Sequence, residues 1–158
     1  MEFRRFEMKS KLIAFGLMTF FAGSAGLAKA HCEIPCGIYG DDIRLSLLQE
    51  HISTIEKSMR EISKLSKVKN PNHNQLVRWV TNKDTHAVKF QEIVSQYFLH
   101  QRIKPVDPSS GKKYEKYILQ LTLAHKMLIA AMKSKTTTDL AVIMELKKLL
   151  AEFRKSYP

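Results

Sequence analysis

Residues 42–67 read DIRLSLLQEHISTIEKSMREISKLSK. The apolar side chains Ile43, Leu47, Leu48, Ile52, Ile55, Met59, Ile62 and Leu65 recur mostly at steps of three and four. That period places them along one face of an α-helix. Glu56 and Arg60 stand four apart on the other side, where they can pair. Asp41 and Asp42 open the run. Aspartate there supplies an N-cap and negative charge at the positive end of the helix dipole. His51 borders the apolar stripe and reads as a hydrogen-bonded histidine at the polar edge.

Three more stretches share this period. Residues 75–102 follow the turn signal Asn70-Pro71-Asn72-His73-Asn74 and carry Leu76, Val80, Ala87, Phe90, Ile93, Val94, Tyr97 and Phe98 on one face. Inside that stretch Asn82-Lys83-Asp84-Thr85 is a polar interruption that predicts a bend, and Trp79 reads as packing. Pro105, Pro108 and Gly111 make residues 104–111 a loop. Residues 112–134 present a broad band of Tyr117, Ile118, Leu121, Leu123, Ala124, Leu128, Ile129, Ala131 and Met132. Thr136-Thr137-Thr138-Asp139 caps a last helix over 140–155, with Ala141, Val142, Leu146, Leu149, Leu150 and Phe153 as its apolar positions. Met59, Met127, Met132 and Met144 read as core filler. No stretch alternates at period two. The expected fold is therefore all-α, a four-helix bundle with short connections, and 158 residues support one such domain.

The first 30 residues are read separately. Arg4, Arg5, Lys9 and Lys11 form a positive segment, Leu12 to Leu27 is apolar, and Ala28-Lys29-Ala30 has the small-x-small pattern of a signal-peptidase site. The apolar run is short for a membrane span and lacks a stop-transfer cluster. Residues 1–30 are expected to be a cleaved leader and residues 31–158 the mature domain, exported to a periplasm, the outside or an organelle lumen, with no membrane association once cleaved. A non-secretory leader on a cytoplasmic protein is the alternative. The full chain carries a net charge of +11. Cleavage removes Arg4, Arg5, Lys9, Lys11 and Lys29 against Glu2 and Glu7, which leaves +8. The lysines are spread along helical faces rather than gathered with aromatics, so nucleic-acid binding is not expected. The charge reads as solvated faces whose field draws small anions.

Cleavage would make His31 the N-terminus of His31-Cys32-Glu33-Ile34-Pro35-Cys36-Gly37-Ile38-Tyr39, which holds both cysteines of the chain. Two cysteines are too few for a disulfide scaffold. Pro35, Gly37 and Gly40 favour a tight turn. The His31 amine, the Cys32 amide nitrogen and the thiolates of Cys32 and Cys36 can form a four-coordinate plane around one metal. Adjacent donors close five-membered chelate rings, and the His31 imidazole can approach from the axial side. Planar N/S coordination suits Ni(II) or Cu(II). Zinc prefers a tetrahedral set that this segment does not complete. Thiolate and amide donors stabilise a higher oxidation state, which opens one-electron Ni(III)/Ni(II) chemistry on a small molecule.

His-Cys-x-x-Pro-Cys-Gly-x-Tyr resembles the nickel-hook motif of nickel-containing superoxide dismutases. His31, Cys32, Pro35, Cys36, Gly37 and Tyr39 match its fixed positions, directly after a cleavage site. The resemblance implies a superoxide dismutase with one nickel ion per subunit, superoxide as its substrate, and four-helix-bundle subunits assembled as a homohexamer. It implies that His31, Cys32 and Cys36 ligate the metal and that Tyr39 stands at the open axial face. Gln96-Tyr97-Phe98 is similar to the family's Asp-Tyr-Phe run, with glutamine replacing the aspartate, and by that likeness Tyr97 joins the site. The family holds its axial imidazole with a carboxylate and an arginine; Glu50 and Arg78 are candidates by residue type alone. Nickel-delivery and leader-processing proteins are conceivable partners. The rival reading is an exported thiol-redox or metal-carrier protein that uses Cys32 and Cys36 as a dithiol pair. Exported bare thiols could also close a disulfide before metal arrives.

Overall fold

A computed structural model describes residues 40–157. The leader and His31, Cys32, Cys36 and Tyr39 lie outside the described residues. The described residues form four long helices and contain no strand. Helix α1 spans Asp42–Leu65. Helix α2 spans His73–Glu92 and continues without a break into a π-helical segment, Ile93–Arg102. A 3₁₀ turn, Pro108–Ser110, lies in the loop before α3, Lys112–Thr136. Helix α4 spans Ala141–Ser156. Short connections make successive helices antiparallel: α1 packs on α2, α2 on α3, α3 on α4, and α4 closes the ring on α1. None of these helices is long and apolar enough to cross a membrane.

The stripe of α1 forms the wall of the core. Leu45, Leu48, Ile52, Ile55, Met59 and Ile62 are buried, and at ~1.5–3 kcal/mol each they contribute on the order of 10 kcal/mol of gross apolar burial. The surface pair Glu56–Arg60 forms at 2.7 Å and Lys147 of α4 joins it at 2.5 Å, but exposed pairs of this kind contribute at most about 1 kcal/mol. Burial decides the fold. Opposite α1 lie Phe90, Val94 and Phe98, then Ala124, Met127 and Ala131, then Ile143, Leu146, Leu150 and Phe153.

Several expectations need correction. Ile43 is half exposed and Leu45, two residues on, faces the core instead. Met59 and Met127 fill the core as expected, whereas Met132 and Met144 are exposed. Trp79, expected in core or interface packing, is partly buried, with the Lys57 ammonium 5.8 Å from its ring centroid, and needs no such correction. The helix is not interrupted at Asn82–Thr85; α2 continues through these residues. The polar residues there reach across the bundle: Asn82 Nδ2 donates to Ser58 Oγ of α1 at 3.0 Å, and Lys83 Nζ donates to Ser134 O of α3 at 2.7 Å and to Lys135 O. The turn chemistry is as read at Asn72, whose side chain accepts from Gln75 N at 3.1 Å. Asp139 caps the start of α4 through Ala141 N at 2.9 Å. Asp41 differs. It occupies the N-cap position of α1 but makes no capping bond with its side chain.

Candidate metal centre

The Asp41 carboxylate is turned away from its own helix and toward the ends of two others. Its Oδ2 accepts from Arg102 Nη2 at 2.7 Å and Nε at 3.1 Å. Its Oδ1 accepts from the Tyr97 hydroxyl. Arg102 Nε also donates to the Tyr157 hydroxyl at 3.2 Å, which brings in the end of α4. The Asp41 carboxylate and the Arg102 guanidinium thus link the start of α1, the π segment and the end of α4.

The π winding makes this meeting possible. Tyr97 and Arg102 are five residues apart. In an α-helix such residues point roughly 140° apart. With i→i+5 hydrogen bonding they come back to one side, and both reach Asp41. The Ile103 N–H donates to Phe98 O at 2.8 Å and closes the segment in the same five-residue pattern. The Tyr97 ring is buried, edge-on to Phe98 at 5.1 Å between centroids. The Arg44 guanidinium carbon lies 5.3 Å from the Tyr97 ring centroid. Phe98 packs in turn on Phe153 and Tyr157 at 5.1 and 5.2 Å. The cluster is therefore anchored in the core on one side.

Electrostatics follow from these contacts. Partial burial pushes the Asp41 carboxyl up, but hydrogen bonds from Arg102, Tyr97 and Tyr157 outweigh it and hold the group below its ordinary value. Burial, reinforced by the Asp41 carboxylate, pushes the Tyr97 phenol up to about 12. Burial likewise pushes Tyr157 up to about 12, against the opposing hydrogen bond from Arg102. The carboxylate is charged and both phenols keep their protons at any physiological pH.

Of the expected site residues, Tyr97 is described, and its hydroxyl is committed to Asp41. Glu50 and Arg78 are exposed on α1 and α2, and neither joins the cluster. Sequence reasoning missed Arg102 and Tyr157 and read Asp41 only as a cap. One signal was present in the sequence: the apolar residues Val94, Phe98 and Ile103 stand four and then five apart, a step that leaves the face of an α-helix. His51 does find a hydrogen-bond partner, with its Nδ1 3.0 Å from Nδ1 of His86 on α2.

Among the described residues no group of three or more His, Cys, Asp or Glu side chains could hold a metal ion. The donor chemistry of His31, Cys32 and Cys36, with nitrogen and thiolate ligands in one short segment, fits nickel. No curated protein and no solved structure matches the chain. A family model does, over residues 27–158, from just before the cysteine-bearing segment to the end of the bundle. The chain belongs to the nickel-containing superoxide dismutases, oxidoreductases that act on superoxide with a nickel cofactor.

Proposed function

We propose that the mature chain begins at His31 and that nickel would be held by the His31 amine and imidazole, the Cys32 amide nitrogen, and the Cys32 and Cys36 thiolates. When bound, nickel supplies a one-electron store that alternates between Ni(III) and Ni(II). Two superoxide ions and two protons then give dioxygen and hydrogen peroxide. One observation carries this reading: His31-Cys32-Glu33-Ile34-Pro35-Cys36 follows Ala28-Lys29-Ala30 directly, in a chain of this family.

The remaining residues shape access and orientation. Tyr39 stands close to the ligands in sequence and gates the approach of a small anion. The Tyr97 hydroxyl donates a hydrogen bond to Asp41 and its pKa is pushed up to about 12, which makes it a poor acid; its part is to orient. A mature charge of +8 favours the approach of anionic superoxide. The leader directs export, and its removal creates the amine ligand. Assembly as a homohexamer is what the family resemblance implies; apolar side chains left exposed on α2 (Val77, Val80, Val88) and α3 (Ile118, Ile129, Met132) offer surface for an interface between subunits.

The test compares a chain starting at His31, one carrying a single extra residue before it, and Cys36→Ser. Each is incubated with nickel, and bound nickel and superoxide disproportionation are measured. Only the first should bind one nickel per chain and be active. Activity without nickel, or a nickel-loaded chain from His31 with none, refutes the reading. A dithiol redox protein would tolerate the added residue. Intact mass of the native protein reports the leader cleavage, and light scattering the oligomer.

A further inference from the structure

We propose that Arg102, aligned with Tyr97 by the π winding of Ile93–Arg102, is a positioning residue for the nickel hook, and that it acts by fixing Asp41. This inference rests on the hook reading above. Asp41 lies two residues after Tyr39 and five after Cys36, so the chain cannot carry Cys36 more than about 18 Å from it. The covalent link from the hook to the bundle passes through residues 40 and 41.

Two independent features set the chain there. Gly40 has φ +84°, a conformation that side-chain-bearing residues rarely adopt, and an added Cβ would meet nothing within 4 Å. The requirement for glycine is thus one of backbone direction and not of space. The second feature is the Arg102 clamp. The Asp41 side chain is only 14% exposed and is bonded on both oxygens. An aspartate at an N-cap normally accepts from its own helix, and losing that bond costs ~1 kcal/mol. Here the cap bond is forgone. The first turn of α1 still has Asp42 for its dipole. A residue that gives up the local bond for two long-range partners, Arg102 and Tyr97, is placed for something other than starting its helix. Two guanidinium nitrogens on one oxygen and a phenol on the other fix both the position and the rotation of the carboxylate. Lysine at 102, a single-point donor, could not do both.

The experiment uses the cleaved chain in three forms: wild type, Arg102→Leu and the isosteric Asp41→Asn. Three quantities are read: backbone hydrogen exchange at residues 40–42 in the nickel-free protein, the rate of nickel transfer to a chelator, and the electron paramagnetic resonance signature of the oxidised site. Both variants should exchange faster at 40–42 and release nickel at least about tenfold faster, the effect of losing one charge-assisted hydrogen bond. Both should also broaden or shift the resonance, which a purely structural contact would leave alone. Arg102→Lys should recover only part of each effect. Should Arg102→Leu fail to fold, Asp41→Asn, which preserves size, decides the matter. A variant that binds nickel with the wild-type release rate and resonance overturns the positioning role while leaving the hook intact. A wild-type chain from His31 that takes up no nickel overturns the hook reading, and the positioning role with it.

Discussion

Lys83 is the perturbation with the clearest structural arithmetic. It is a charged residue only 3% exposed. Its ammonium donates to Ser134 O at 2.7 Å and to Lys135 O, in the last turn of α3, where carbonyls have no partner within the helix. Asp84 Oδ1 stands 3.3 Å from it, and that oxygen is buried with no hydrogen-bond partner. In Lys83→Met the unbranched stem keeps its packing and the ammonium goes. One buried carbonyl is then unsatisfied, at ~1–3 kcal/mol, and a cation is lost from the negative end of the α3 dipole, at ~0.3–1 kcal/mol. Relief of the ammonium's own desolvation offsets part of this. The expected net loss is about 2–3 kcal/mol, which for a domain of this size lowers the thermal midpoint by roughly 10 °C. Thermal unfolding followed by far-UV circular dichroism on the nickel-free mature chain measures it. Lys83 also lies fourteen residues before Tyr97, about 20 Å along the helix. Well below the midpoint, nickel content and activity should therefore match wild type. A midpoint within about 2 °C of wild type would mean that water replaces the ammonium at no cost, and the reasoning fails.

Phe98→Ala removes a ring in contact with Tyr97, Phe153 and Tyr157 and should lose ~3–5 kcal/mol in urea unfolding; a loss under about 1 kcal/mol would show that the π segment is not anchored by it. Burial, followed by repulsion from His86, lowers the His51 pKa, and burial with nearby Lys89 lowers that of His86, against opposing Glu50. The unfolded chain then binds protons more readily, so the pair's contribution is full above pH 6.5 and is lost as pH falls through the folded values. The thermal midpoint should drop on acidification from neutral pH, less steeply in His51→Leu, and an equal slope in both removes the pair from the account. Tyr97 and Tyr157 shift the other way: their contribution is full below pH 10.0 and is lost as pH rises through about 12. Spectrophotometric titration should show two late phenols, each abolished by its own substitution to Phe; a single early phase for all tyrosines contradicts the cluster.

What was legible in the sequence divides by distance along the chain. The four helices follow from local apolar period, and the structure reproduces them with shifts of a residue or two at the ends. The family was also legible, because the His31-Cys32-x-x-Pro35-Cys36 pattern that carries the resemblance is local and needs no tertiary structure to be read. Polar residues inside a helix were misread. Asn82 and Lys83 look like a break because their partners, Ser58 and Ser134, lie 24 and 51 residues away. The Asp41–Arg102 pair spans 61 residues. No local pattern announces it, and a carboxylate before an apolar run fits a cap so well that nothing in the sequence asks for a second reading.

The π segment shows how the legible part determines the illegible one. Phe98 and Ile103 are both buried, at 0% and 6% exposure, though five residues separate them. Continued α-winding after Phe98 would swing the side chain at 103 roughly 140° away from the core, giving up ~2 kcal/mol of apolar burial. Winding by five returns position 103 to the core, and the same turn carries position 102 to the side occupied by the Tyr97 hydroxyl. The guanidinium needs no selection of its own for that placement. Burial of an isoleucine beside it fixes the winding, and the winding fixes the angle at which Arg102 meets Asp41. The energy that holds the bundle together is thus the same energy that sets how Arg102 holds Asp41.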